Sequence, residues 1–281
     1  MTKKPRRKNL KPPGKCIFCG GGNLSKEHFW PEWASALLPH YPINQHVEQL
    51  FTFTEVTKLN GPPEVRSKPG NLWTKKIRVV CGACNNGWMS ILETDVQPIL
   101  TPLIITQPHT LTDNSMEILA KWIALKIMVG EHNNPKDAVT PVEAREKFKS
   151  TQEIPPNFNI WIAKCGVGGW QTAYVRHTAT VSLTPVFKPN HQFKNTHSVT
   201  FGIGDLFVLV LHSTVKDLDL NLTFLPSGEG VIFPLFPIIG SINWPPIRNL
   251  SATEAHSMAW TLKRWLIGHK KRWLPSPSCA E

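Results

Sequence analysis

Two C-x-x-C pairs, Cys16/Cys19 and Cys81/Cys84, lie on either side of the tripeptide Glu27-His28-Phe29, and the second pair runs directly into Asn85. An x-x spacer lets both sulfurs of a tight turn reach one ion, so two such turns make a tetrahedral zinc site. A redox dithiol or a set of buried thiols would also use cysteines, but two pairs at this spacing in a basic chain point to zinc. With all four positions taken by sulfur, the ion is structural and activates no water. Its effect is to draw Glu27, His28 and Asn85 together across a long stretch of chain. An imidazole that titrates near neutral pH takes a proton from water. Glu27 and Asn85 offer hard oxygen donors of the kind that suit Mg2+ or Mn2+. Together these are the parts of a metal-dependent phosphodiesterase. Asn86 rivals Asn85 as the amide ligand, and an Asn opening a helix is also a common cap.

The motifs that carry this chemistry are E-H-x-x-P (Glu27, His28, Pro31) and C-x-x-C-N (Cys81, Cys84, Asn85), with Cys16/Cys19 upstream. In these residues the chain resembles the HNH endonuclease family, and within it the subgroup in which a four-cysteine structural zinc braces a ββα-metal finger. The resemblance covers roughly the first third of the chain. It implies nucleic-acid phosphodiester hydrolysis with one catalytic divalent ion, Mg2+ or Mn2+, held by Glu27 and Asn85, and with His28 as general base. Two departures stand out. Many members carry Asp or His where this chain has Glu27, and a further His where it has Met89. The family's middle Asn maps to Asn71 or Asn60.

The elements that must position these groups follow from local pattern. Residues 24–30 are short and extended enough for a strand, which Pro31 stops, and residues 32–38 read as one or two helical turns. Residues 39–70 are rich in Pro, Asn, Thr and Gly and form a long insertion, with hairpin character over 48–59. Residues 73–80 make the second strand, whose Lys75, Lys76 and Arg78 are expected phosphate contacts. Asn85 to about Val96 is the helix, with Trp88, Ile91 and Leu92 at core spacing and Glu93 facing out or towards the site. Strand, insertion, strand, helix is the ββα order. Trp30, Trp33, Trp73 and Trp88 are expected in the core of this small unit rather than stacked on bases.

Beyond Pro98 the pattern changes. Residues 116–129 carry a wide apolar helical face to which Lys126 contributes its stem alone. Thr140-Pro141 resembles an N-cap opening a second helix to about Lys149. Residues 159–236 are rich in β-branched and aromatic residues with Gly breaks, and residues 253–273 form an amphipathic basic helix. The fold class is therefore α+β: an N-terminal zinc-braced ββα-metal finger at 15–98, after a basic arm at 1–14, followed by a mixed α+β C-terminal domain of unassigned role at 99–281.

Lys and Arg outnumber Asp and Glu by 31 to 20, and seven of these cations fall in the first 15 residues with no acid among them. Such an arm gains affinity for nucleic acid by releasing counterions. No run of about 18 apolar residues is present, so no membrane span is expected. A basic N-terminus without an apolar segment behind it, and lone Cys165 and Cys279, fit a cytoplasmic, reducing setting. The expected partner is nucleic acid, with DNA favoured over RNA, and a homo-oligomer is left open. The expected activity is that of an HNH-type endonuclease. The competing expectations are a non-catalytic zinc-ribbon nucleic-acid binder and an RNA-cleaving toxin or defence effector.

Overall fold

The computed structural model describes residues 14–38, 75–165, 173–181, 194–216, 218 and 230–261, together with the backbone of short strands between 45 and 69. The expectations for the basic arm, for Trp73, Asn60 and Asn71, and for the last stretch of the terminal helix fall outside the described residues.

The N-terminal segment is built on a two-stranded ladder. Strand β1 (Leu24–His28) ends at Phe29-Trp30-Pro31, where the chain turns into a 3-10 segment, Glu32–Leu37. The insertion contains two ladders: β2 (Gln45–Leu50) pairs with β5 (Glu64–Pro69), and between them in sequence β3 (Phe53–Glu55) pairs with β4 (Lys58–Leu59). The hairpin character expected over 48–59 is therefore part of a longer arrangement. Strand β6 (Lys76–Cys81) returns antiparallel to β1, with Leu24 opposite Cys81 and His28 opposite Lys76. The register shifts between Ser25 and Glu27. Such a bulge inserts a residue and re-aims the side chains beyond it.

Helical structure begins where β6 ends. Cys81 caps a short turn, α1 (Gly82–Cys84), which passes through a wide π-type segment, Asn85–Met89, into α2 (Ser90–Ile104). Gly87 (φ −96°, ψ −117°) departs from helical geometry inside that segment. π-type distortions concentrate at functional sites because they change which side chains share a face. The change of phase is visible here: Leu92 is buried, but Ile91, expected in the core, is 63% exposed.

Strand β7 (His109–Leu111) leads to α3 (Asp113–Glu131), which opens on Thr112, whose hydroxyl accepts from the Ser115 N–H, and on an acid in its first turn. From Trp122 to Glu131 every residue of α3 is buried. Lys126 is included at 2% exposure, so it does not bury its stem alone: its ammonium is inside the protein. Helix α4 (Val142–Thr151) follows. Thr140 does not cap it with its side chain, because that hydroxyl bonds Glu131 instead.

A five-stranded antiparallel sheet completes the fold. It contains β8 (Phe158–Lys164), β9 (Tyr174–Ala179), β10 (Thr196–Ile203), β11 (Leu206–Ser213) and β12 (Ile232–Phe236), in the order β12-β8-β11-β10-β9. Strands β10 and β11 are buried on both faces, which explains the unbroken run Leu206-Phe207-Val208-Leu209-Val210-Leu211. One face, with Val199, Phe201, Val208 and Val210, packs into the core that contains α3; the other, with Phe207 and Leu209, packs on α5 (Ala252–Ala259). Strand β13 (Ile242–Trp244) pairs with β7. The β10–β11 turn uses Gly204 at φ +57°, and a Cβ there would sit 2.5 Å from the Ile104 carbonyl oxygen. Only glycine lets the turn approach the end of α2 this closely. The next residue, Asp205, donates its N–H to that same oxygen at 2.9 Å.

The sequence-derived division at 98 falls inside α2, and one buried cluster runs from Cys16 to Trp244 across it. Trp30 meets Phe201 at 5.0 Å between ring centroids, Phe29 meets Tyr174 at 4.8 Å, and Trp88 meets Phe148 at 5.9 Å. The finger and the residues after it share a core.

Candidate active site beside a four-cysteine metal centre

The two cysteine pairs come together as their spacing requires. In the first turn Gly20 donates to the Cys16 carbonyl and Gly21 points its N–H at Cys19 Sγ, 3.4 Å away. In the second, the Cys84 N–H points at Cys81 Sγ at the same distance. The Ile17 N–H donates to Val79 O at 3.0 Å, fixing the first turn to β6. All four sulfurs lie within 4.8 Å of one another, and Cys19 Sγ and Cys81 Sγ are 3.5 Å apart. Two sulfurs on one tetrahedral zinc are separated by about 3.8 Å, given Zn–S bonds of about 2.3 Å. The four cysteines are thus close enough to hold one metal ion such as zinc. The backbone N–H from Cys84 brings the Cys81 thiol down to about 7, while burial pushes the Cys84 thiol up to about 12. A cation among them offsets the cost of ionising the whole set.

Next to this centre, β1, the π-type segment and α2 enclose a cleft of about 300 Å3 whose lining includes Glu27, His28, Asn85, Asn86, Met89 and Glu93. The three residues expected to act together therefore do share one cavity. His28 sits at the end of β1 with its side chain 24% exposed and Nε2 3.7 Å from Glu32 Oε2. Asn85 donates through Nδ2 to Ser25 Oγ at 3.1 Å, and Ser25 in turn donates to Val80 O. That chain fixes the orientation of the amide and leaves Oδ1 without a hydrogen bond among the described residues. Asn85 makes no capping bond with its side chain; Cys81 does that work.

Glu27 is 6% exposed, and its Oε1 accepts from Lys126 Nζ at 2.7 Å. The same ammonium donates to His28 O at 3.1 Å and to Glu93 Oε2 at 3.2 Å. Two carboxylates around one ammonium leave a net charge of −1, and Glu27 Oε2 has no bond to any described residue. Glu27 and Asn85 both line the cleft, and their side-chain oxygens are the kind of donor that suits Mg2+ or Mn2+, which bind one or two protein oxygens and keep waters. The residues present fit such an ion. Met89, where many members of the resembled family place an imidazole, is 2% exposed and offers no such donor.

Lys76 and Arg78 are exposed on either side of buried Ile77, so their side chains share the outward face at the start of β6. Lys76 is the cross-strand partner of His28. Lys75 lies over the Phe29 ring, 5.8 Å from its centroid. Trp30 is fully buried and Trp33 and Trp88 pack on the same cluster, in keeping with a core role.

Lys126 and Glu93 complete the site, and Lys126 was not expected there. Its signal was present: a lysine inside the run Trp122–Val129 has no polar flank to snorkel to, so its ammonium must meet carboxylates in the interior. No helix among the described residues is long and apolar enough to cross a membrane. Comparison with protein-family models, with curated proteins and with solved structures finds no match for this chain.

Proposed function

We propose that the protein is a metal-dependent endonuclease of the HNH type, hydrolysing nucleic-acid phosphodiester bonds, with DNA as the favoured substrate. The observation that carries this reading is the convergence of His28, Glu27 and Asn85 on one cleft beside the four-cysteine centre. His28, at the cleft, removes a proton from the attacking water. Lys126 holds Glu27 in place, and Ser25 holds the Asn85 amide. Glu27 and Asn85 would hold a divalent ion, which would supply the charge that polarises the phosphoryl group and stabilises the leaving 3′ oxygen. Lys76 and Arg78, on the exposed face of β6 that carries His28's cross-strand partner, supply phosphate contacts. The metal at the four cysteines, zinc in this reading, would tie the Cys16–Cys19 turn to the end of β6 and to α1 and take no part in the chemistry.

One observation favours a second reading, a zinc-braced nucleic-acid binder without catalysis: the Lys126 ammonium already neutralises part of the charge a divalent ion would use. Incubation of the full chain with supercoiled plasmid and with total RNA, each with Mg2+, Mn2+ or chelator, separates the two. Metal-dependent nicking supports the nuclease. Binding without cleavage of either substrate rejects it.

A further inference from the structure

Glu131, the last residue of α3, is fully buried at the wrong end of a 19-residue helix: the C-terminus carries the negative end of the dipole and repels a carboxylate. The carboxylate accepts from the Thr140 N–H and from Thr140 Oγ1, the latter at 3.0 Å, but no arginine or lysine bonds it. The two nearby guanidinium groups are engaged elsewhere. Arg145 donates to the carbonyls of Ile17 and Thr140, and Arg176 donates to those of Glu131, Asn134 and Asp137. A buried carboxylate needs a cation close by.

Two imidazoles face it. His197 of β10 and His212 of β11 are directly cross-strand, so their side chains stand on the same face of the sheet, and both are at most 1% exposed. One ring nitrogen of each, with one Glu131 oxygen, falls within a 4.8 Å group. His197 Nδ1 comes to 3.0 Å from Glu131 Oε1, an ion-pair distance, while His197 Nε2 and His212 Nδ1 are buried with no hydrogen-bond partner among the described residues. The pair alone suits an ion pair with a protonated His197, but the second imidazole within the same 4.8 Å group gives the three side chains the spacing of ligands around one ion. At bonds of about 2.0–2.2 Å, tetrahedral ligands are about 3.3 Å apart. Phe158 stacks on His212 with ring centroids 4.1 Å apart, and Thr140 Oγ1 donates to Glu131 Oε1, so ring and carboxylate are both held in place.

We propose that Glu131, His197 and His212 form a second metal site, selective for a divalent ion of the zinc class and distinct from the four-cysteine centre. Two imidazoles and one carboxylate are borderline donors that suit zinc and its neighbours rather than magnesium or calcium. The ion neutralises Glu131, satisfies the unbonded His212 nitrogen, and ties the end of α3 to β10 and β11. Lys126 lies on the same helix, so the tie also holds the ammonium that fixes Glu27. The site itself does not depend on the nuclease reading.

The test is the metal content of the purified full chain reconstituted with Zn2+, together with titration of the metal-free protein with Co2+. Two metal equivalents per chain are expected. In His212→Phe, which keeps the stacking on Phe158, the content falls from two to one. Cobalt at four thiolates gives intense sulfur-to-metal charge-transfer absorption, whereas cobalt at Glu131, His197 and His212 gives only weaker ligand-field bands, so the wild-type titration continues past the point where the charge-transfer bands saturate. Saturation of all absorption at one equivalent overturns the proposal, as does an unchanged metal content in His212→Phe. The wild-type titration decides the matter even if the variant does not fold.

Discussion

Lys126 Nζ lies 2.7 Å from Glu27 Oε1, although the two residues are 99 positions apart in sequence. The contact joins the central buried helix to the end of the first strand, and it places a charge pair where the solvent does not reach. Burial alone would lower the lysine's pKa, but the charges of Glu27 and Glu93 outweigh it and the ammonium is held above its usual value.

Removing one partner of such a pair leaves the other charged and buried, at a cost of about 3–5 kcal/mol. Lys126→Met is therefore expected to lower the denaturant midpoint by a large part of the total stability, and adding Glu27→Gln is expected to recover some of the loss. The pH dependence has a definite sign. A lysine whose folded pKa is raised contributes stability that is fully present below its unfolded value, near about 10.4, and is lost as pH rises through the higher folded value. The wild type should thus lose stability on the alkaline side more steeply than Lys126→Met, measured as the difference in midpoint between pH 8 and pH 11.

His28→Ala separates catalysis from folding. Its side chain is partly exposed and, among the described residues, its polar contact is a long one to Glu32 at 3.7 Å, so the variant's melting temperature should stay within a few degrees of the wild type. Cleavage should fall by on the order of 10²-fold to 10⁴-fold, the usual contribution of an acid–base group. Full activity in a folded His28→Ala protein would show that another group makes the nucleophile.

At the four-cysteine centre, Cys84→Ser should remove one metal equivalent per chain and open the finger first, because binding free energy at a structural zinc is folding free energy. Hydrogen exchange would register this as lost protection in β1 and β6 before β10 and β11. Uniform retention of protection would mean the metal is dispensable.

The strand, strand and helix order of the N-terminal segment was legible in the sequence because its signals are local: a C-x-x-C turn, a strand ending just before Pro31, and a helix beginning where the second turn ends. Lys126 was misread because a helical pattern shows which face is apolar but not that both faces are covered. Ile91 was misplaced because the π-type segment at Asn85–Met89 shifts the phase of the helix after it. Glu131, His197 and His212 had no signal at all. They come from one helix and two strands, and only the register that sets His197 opposite His212 brings them together.

Lys76 and Arg78 stand on the exposed face of β6. If they hold phosphates, Lys76→Ala and Arg78→Ala should each reduce the slope of log affinity against log salt by about 0.9 on duplex DNA. Zinc content and stability should be unaffected, since neither side chain is buried or bonds a described partner. An unchanged slope in both variants would move the nucleic-acid contact to another surface.

The shared core makes a prediction about truncation. A chain ending at residue 98 cuts α2 within the helix and removes Lys126 from Glu27 and Glu93, Arg145 from the Ile17 carbonyl, and Tyr174, Phe148 and Phe201 from the aromatic rings of the finger. Two carboxylates would then face one another without their cation, and Phe29, Trp30 and Trp88 would lose their packing partners. The four cysteines remain, so fragment 1–98 should still bind a metal ion. It should nevertheless be poorly dispersed by NMR, prone to aggregate and inactive as a nuclease. A fragment extended through Glu131 restores Lys126 but not Phe201, and is expected to gain order only in part. A well-dispersed, cleaving 1–98 fragment would demonstrate that the finger folds alone and that its packing against the rest of the chain adds nothing it needs.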